Sequence, residues 1–258
     1  MSNSIFTCVA TIGPESGSSQ AIKELRSAGM TSGRLNMSHG THQSHQEYIN
    51  LLKKNNVATI LDLSGPRTNS KNTHTFDPKL PAFTDKDRYD LAFGHKAQVD
   101  WVALSYVKNH KDIDILKENI QELGMNSKVM SKIEHQTAVD NLEEIIAASD
   151  AILIGRGDLG SSIGLENLAR TTLKIIATCR EKHIPVIVGT EILYSMIQKD
   201  TPTRAEATDA WLHGYAGASG IMLSNETAVG KHPEKAVQWA SALFSAGQKD
   251  RLAGHRLL

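Results

Sequence analysis

Short apolar runs alternate with longer stretches of helical spacing over most of the chain. Residues 6–12 form the first apolar run, and 19–28 follow with Ile22 and Leu25 on one helical face. The same reading predicts strands at 32–37, 57–63, 100–107, 129–134, 151–155, 185–189 and 220–223. Helices are predicted after them at 42–53, 85–98, 111–123, 138–148, 165–182, 204–214 and 233–245. Strands that alternate with helices imply parallel βαβ units with right-handed crossovers. Eight such units in 258 residues come close to the ~250 residues of a closed eight-stranded barrel. That number favours a single (β/α)8 TIM barrel of the α/β class, with a doubly wound open sheet as the competitor.

One segment breaks the rhythm. "GPRTNSKNTHTFDPKLPAFTD", from residue 65 onward, is polar, carries several Asn and Pro, and shows no helical face. It reads as a loop after the third strand. The tail "GQKDRLAGHRLL" reads as a frayed end. Charge adds an exclusion: 28 Lys and Arg balance 28 Asp and Glu, so no global field draws nucleic acid or anionic lipid. Cys8 and Cys179 give neither a disulfide framework nor a CxxC pair, which suits a reducing compartment. The N-terminus lacks a signal-peptide layout, and no apolar run approaches the ~18 residues of a membrane span. A cytoplasmic protein without a membrane or nucleic-acid partner is expected.

In a barrel, function gathers at the C-terminal strand ends, where βα loops and helix N-termini meet solvent. Here those ends are rich in polar groups. The second strand delivers Arg34, Asn36, Ser38 and His39, and the third Asp62, Ser64 and Arg67. The fifth brings Lys132 and Glu134, the sixth Asp158, the seventh Thr190 and Glu191, and the eighth Ser224, Asn225 and Glu226. Side chains two apart on a strand share a face, so Lys132 and Glu134 point together and Ile133 points away. If that face is the barrel interior, an ammonium and a carboxylate converge near the mouth, with Asp158 arriving from the next strand. Two such carboxylates suit Mg²⁺ or Mn²⁺, which take few protein oxygens and leave room for substrate. Lys132 and Arg34 would then offer positive charge to a phosphate or an enolate oxygen. The glycines of "GRGDLG" open backbone N–H groups to an anion, with a helix start beyond them.

The opposing reading makes Lys132–Glu134 and Arg156–Asp158 structural ion pairs around the rim. His39, His42 and His45 fall three residues apart, whereas the HExxH zinc pattern needs a four-residue step. His42 and His45 are expected on the surface near a helix start. "GRGDLG" lacks the GxGxxG order of a dinucleotide fingerprint, and Ser224 lacks a glycine-flanked elbow.

Taken together, these stretches resemble the pyruvate kinase family. "ATIGPES" resembles its TIGPAS opening, and "AGMTSGRLNMSHGTHQSH" its AGM…ARLNFSHG segment. "LDLSGPRT" and "LPAFTDKDRYDLAFG" resemble its LD…GP and LPxxxxKDxxDxxFG stretches. "SKIEH", "GRGDLG", "GTEILYSMI", "TPTRAEATD" and "IMLSNETAVG" resemble SKIEN, ARGDLG, ATQMLESM, PTRAEVxD and IMLSGETA. The resemblance covers the catalytic barrel, so one barrel spans residues 1–258, with a short loop at 69–79 in place of the family's lid domain and no C-terminal domain.

The resemblance also implies roles. Glu134 and Asp158 match divalent-metal ligands, and Lys132 the cation that stabilises the transferring phosphoryl group and the enolate. Arg34 and Arg67 match phosphate-contacting arginines, and His39 is expected beside the substrate. Thr190 matches the threonine beside the substrate carboxylate and its protonation site, and the amides of Gly157 and Asp158 match a carboxylate cradle. Asn36, Ser38, Asp62 and the Leu63 carbonyl match a potassium site. Departures include the shortened "GPRT", Glu191 where the family has glutamine, and His135 after "SKIE". The expected activity is phosphoryl transfer from phosphoenolpyruvate to ADP or a related acceptor. The alternatives are a metal-dependent pyruvate aldolase or decarboxylase and a non-catalytic keto-acid binder.

Overall fold

The computed structural model describes residues 6–70, 73–76 and 79–255; the side chains of 67–70 and 73–76 lie outside that description. In chain order the strands are β1 (Cys8–Thr11), β2 (Ser32–Asn36), β3 (Ala58–Asp62), β4 (Arg67–Ser70), β5 (Thr73–Phe76), β6 (Trp101–Leu104), β7 (Lys128–Ile133), β8 (Ala151–Gly155), β9 (Val186–Gly189) and β10 (Gly220–Leu223). All but β4 and β5 form one closed barrel in the order β1–β10–β9–β8–β7–β6–β3–β2. Every neighbouring pair is parallel, and β1 pairs with both β2 and β10. Closure rules out the open sheet.

The helices are α1 (Ser19–Ala28), α2 (His42–Lys54), α3 (Asp85–Ala97), α4 (His110–Glu122), α5 (Gln136–Asp140), α6 (Leu142–Ala148), α7 (Arg156–Ile163), α8 (Leu165–Glu181), α9 (Arg204–Ala216), α10 (Asn225–Ala228) and α11 (Pro233–Leu252). Local sequence fixes where several begin. Thr41, Thr84 and Thr203 each close a capping box with the residue three positions on, at the starts of α2, α3 and α9. None of the described helices is long and apolar enough to cross a membrane.

Period-two alternation divides the strand residues between two cores. Val9, Ile60, Trp101, Met130, Leu153, Ile187 and Met222 fill the barrel interior. Ala10, Leu35, Leu61, Val102, Ile133, Ile154 and Val188 face outward and pack against the helices. The interior series turns polar toward the C-terminal mouth: Val9 leads to Thr11, Ile60 to Asp62, Ala103 to Ser105, and Met130 to Lys132 and Glu134. This gradient builds the site.

Four expectations need correction. The segment from residue 65 onward, expected as a loop, carries the antiparallel pair β4–β5, which begins at Arg67 and so overlaps the 69–79 loop; residues 71–72 and 77–78 lie outside the described residues. The predicted helix at 138–148 is two helices that break at Asn141. The tail is not frayed as far as Leu252, because α11 continues and Trp211 Nε1 donates to Asp250 Oδ2 at 3.0 Å. The strand expected at 100–107 ends at Leu104, and Tyr106 takes a left-handed backbone with φ +55°.

Candidate active site at the mouth of the barrel

A cavity of ≈ 960 Å³ opens at the C-terminal strand ends and is lined by Arg34, Lys132, Glu134, Asp158 and Thr190, among others. Lys132 stands at the centre of a buried network. Its Nζ lies 3.0 Å from Glu134 Oε1, 3.3 Å from Asp62 Oδ1 and 2.8 Å from Ser105 Oγ. Arg34 Nε donates to Asp62 Oδ2 at 2.6 Å, and its Nη1 to Thr11 Oγ1 at 2.9 Å. The Ser105 hydroxyl reaches the Leu63 carbonyl at 2.7 Å. These residues come from β1, β2, β3, β7 and the turn after β6, so barrel closure itself assembles the network. Asp62, Glu134 and Lys132 are 1%, 3% and 4% exposed; charges so deep persist only when paired.

Glu134 and Asp158 share a partner. Tyr106 N–H donates to Glu134 Oε2 at 2.9 Å, and the Tyr106 hydroxyl donates to Asp158 Oδ2 at 3.0 Å. Neighbouring Gly155 makes room for Glu134, because a Cβ there would sit 2.6 Å from Glu134 Cγ. Asp158 lies in the first turn of α7, beside Gly157. The leading N–H groups of a helix have no partner within it, and Gly157 and Asp158 stand at that start on the cavity wall. Among the described cavity-lining residues, the carboxylates of Glu134, Asp158 and Glu191 outnumber the cations Arg34 and Lys132. This all-oxygen set, with an excess of negative charge, fits a hard divalent cation. Among the described residues no group of three or more His, Cys, Asp or Glu side chains could by itself hold a metal. Glu134 and Asp158 would therefore supply only part of a coordination shell.

The Arg156–Asp158 rim pair of the opposing reading is not among the ion pairs of the described residues. Arg156 turns away and donates to Asp209 Oδ2 at 2.6 Å, to the Thr190 carbonyl at 2.8 Å and to the Glu191 carbonyl at 3.1 Å. Thr190 and Glu191 sit at φ +74° and +53°, rare for any non-glycine residue and most strained for a β-branched one. The guanidinium holds this turn so that both residues line the cavity. Burial of Asp209 raises its carboxyl pKa. The hydrogen bond and charge of His213, with Arg156, outweigh that and hold it below the usual carboxylate range.

Three of the four residues matched to potassium already have their oxygens in use. Asn36 Oδ1 accepts from Ser38 N–H at 3.1 Å, Asp62 is bound to Arg34 and Lys132, and the Leu63 carbonyl accepts from Ser105. Close by, the Lys86 ammonium donates to the Met37 carbonyl at 2.7 Å and to Ser64 Oγ at 3.0 Å. His39 and Glu191 are exposed at the cavity mouth, while Ser224 and Asn225 line its wall. Glu226 is buried and accepts from the Leu193 and Ser224 amides. His135 caps α5. Arg67 lies on β4, and its side chain is outside the described residues. Sequence reading missed Thr11, Ser105 and Tyr106; the interior period through Val9 and Ala103 could have found the first two.

The surface expectation holds in part for His42, which opens α2 half-buried, stacks against Tyr89 and Phe93 and bonds Asp90; it fails for His45. His45 is buried, its Nε2 donates to the His39 carbonyl at 2.8 Å, and its Nδ1 has no hydrogen-bond partner. Burial, the foremost cause, lowers the His45 pKa. The fold therefore favours neutral His45. The stability this contributes is full above the unfolded value of ~6.5 and is lost as pH falls below it. Thermal melts should show Tm declining from pH 7 to pH 5, with a flatter decline in His45→Gln; parallel curves would refute this account.

The barrel, its charged mouth and the order of its motifs agree with what a family model finds: "Pyruvate kinase, barrel domain" matches residues 5–78 and 67–237. The chain belongs to the pyruvate kinase family. It is 33% identical to plastidial pyruvate kinase 3 of Arabidopsis thaliana over 89% of this chain and 55% of that protein. It is 31% identical to a pyruvate kinase of Clostridium perfringens over 91% of this chain and 68% of that protein. A Mycobacterium intracellulare pyruvate kinase is 39% identical over 76% of this chain and 42% of that protein. The chain thus spans about half the length of the pyruvate kinases it matches. The Arabidopsis match runs over 316 positions, more than the 258 residues of this chain, so that relative carries residues inside the match that this chain lacks.

Proposed function

We propose that this barrel binds phosphoenolpyruvate or pyruvate, stabilises the enolpyruvate, and transfers the phosphoryl group to ADP or a related acceptor in the cytoplasm. The convergence of Lys132, Glu134 and Asp158 at one cavity, in a chain of the pyruvate kinase family, carries this reading. Positioning and charge dominate such transfers. Lys132 and Arg34 neutralise the transferring group and the enolate oxygen, held in place by Asp62, Ser105 and Thr11. The Gly157 and Asp158 amides at the start of α7 receive the substrate carboxylate. The Thr190 hydroxyl lies where the methylene carbon is protonated, and His39 contacts the substrate from the rim; the resemblance gives Arg67 a phosphate-contacting role.

Glu134 and Asp158 would hold Mg²⁺ or Mn²⁺, which when bound supplies Lewis-acid polarisation of substrate oxygens. Potassium at Asn36, Ser38, Asp62 and Leu63 fits less well, since Arg34 and Lys132 already balance Asp62. On this reading the β4–β5 pair stands where the longer relatives place a lid.

Glu191 favours a second reading. Its carboxylate at the cavity rim repels a polyphosphate, which suits a metal-dependent pyruvate aldolase or decarboxylase without nucleotide. One assay separates them: phosphoenolpyruvate with Mg²⁺ and K⁺, with and without ADP, followed for pyruvate and ATP. Absence of ADP-dependent pyruvate removes the kinase. Deuterium uptake into the pyruvate methyl group, abolished in Glu134→Gln, is expected on either enolate reading, and its absence counts against both.

A further inference from the structure

Tyr106 has a position that no role above explains. It is 2% exposed, follows the last residue of β6 by two, and holds a left-handed backbone although it is bulky. That conformation is rare outside glycine, asparagine and aspartate, and strained residues persist where surrounding structure over-determines them. Here the surroundings are specific: the backbone N–H is spent on Glu134 Oε2 and the phenol on Asp158 Oδ2. An extended residue at 106 would continue the β6 ladder rather than turn its amide toward Glu134. The ring also packs where Gly65 lacks a side chain; a Cβ there would lie 3.1 Å from Tyr106 Cδ2.

We propose that Tyr106 is a positioning residue that sets Glu134 and Asp158 as one divalent-cation site. The inference rests on the metal-binding reading above. Its amide and its phenol each donate to one carboxylate, and an ionised carboxylate has about four acceptor sites, so a single donated bond does not stop either acid from ligating a cation. Without the phenol, Asp158 loses a tether that crosses from the β6 turn to α7, and the cation itself must order it beside Glu134, which Lys132 and the Tyr106 amide still hold. Partners behind metal ligands commonly matter by about 10–100-fold in metal affinity.

The test uses the whole chain, Mn²⁺ as the probe and electron paramagnetic resonance of the free ion as the readout, with no substrate present. Tyr106→Phe keeps the ring and the amide and removes only the hydroxyl. The expected result is a Kd for Mn²⁺ raised about 10-fold or more. Binding by the natural chain with equal or tighter binding by Tyr106→Phe would overturn the proposal. No Mn²⁺ binding by the natural chain would instead remove the metal reading on which it stands. Should Tyr106→Phe fail to fold, fluorotyrosine labelling of the natural chain serves in its place. The ¹⁹F signals are assigned by Phe variants of the four other tyrosines, and the Tyr106 signal must shift on Mg²⁺ addition. A signal that stays fixed while Mg²⁺ binds would overturn the proposal equally.

Discussion

Replacing Lys132 by methionine is expected to lower the rate of pyruvate formation by about 10²–10³-fold, the loss typical when one preorganised donor to a developing anion is removed. The ammonium lies between two buried carboxylates, so its charge is fixed before substrate arrives and needs no reorganisation. Methionine has similar length and keeps the interior filled, so the loss isolates charge from volume. Lys132→Arg should not restore activity. A planar fork does not fit a position where the present nitrogen meets Ser105, Asp62 and Glu134 within 3.3 Å. Steady-state kinetics on the folded variants decides this; a methionine variant within tenfold of the natural chain would contradict it.

Asp62→Ala is expected to give the largest stability loss. Asp62 is the shared counter-ion of Arg34 and Lys132, and its removal strands the Arg34 charge in the barrel interior and leaves Lys132 with Glu134 alone. Breaking a buried pair by deleting one partner costs about 3–5 kcal/mol. At about 2–4 °C per kcal/mol for a chain of this size, Tm should fall by on the order of 10 °C in a circular-dichroism melt. Asp62→Asn keeps the shape but not the charge, and most of the same loss is expected. A Tm within about 3 °C of the natural chain, roughly 1 kcal/mol on that scale, would mean hydrogen bonding rather than charge balance holds this layer.

Much of this arrangement could be read from the sequence, for a geometric reason. A strand's period of two puts Met130, Lys132 and Glu134 on one face, so "SKIE" announces a charged mouth above an apolar interior. Asp62 and Arg34 follow the same rule from β3 and β2, where Asn36 stands opposite Asp62 in register. What escaped depends on backbone sign and helix phase. Nothing in "LSYVK" signals that the chain leaves the ladder at Leu104 and inverts at Tyr106. Arg156 and Asp158 are near in sequence, but once both lie in α7 a two-residue step places them on different sides of the helix. The β4–β5 pair was hidden because its residues are nearly all polar, without the apolar alternation by which a half-buried strand is recognised. His45 was misplaced because imidazole is tolerated both inside and outside; only the packing around α2 decides.

That small hairpin has an architectural consequence. Among the described residues its two strands pair with each other and with no barrel strand, and β3 pairs directly with β6. The stretch between those strands is thus a natural graft point, where chain can be gained or lost at little cost beyond the slow logarithmic growth of loop entropy. Length differences between this protein and its longer relatives can concentrate there while the charged interior stays as it is.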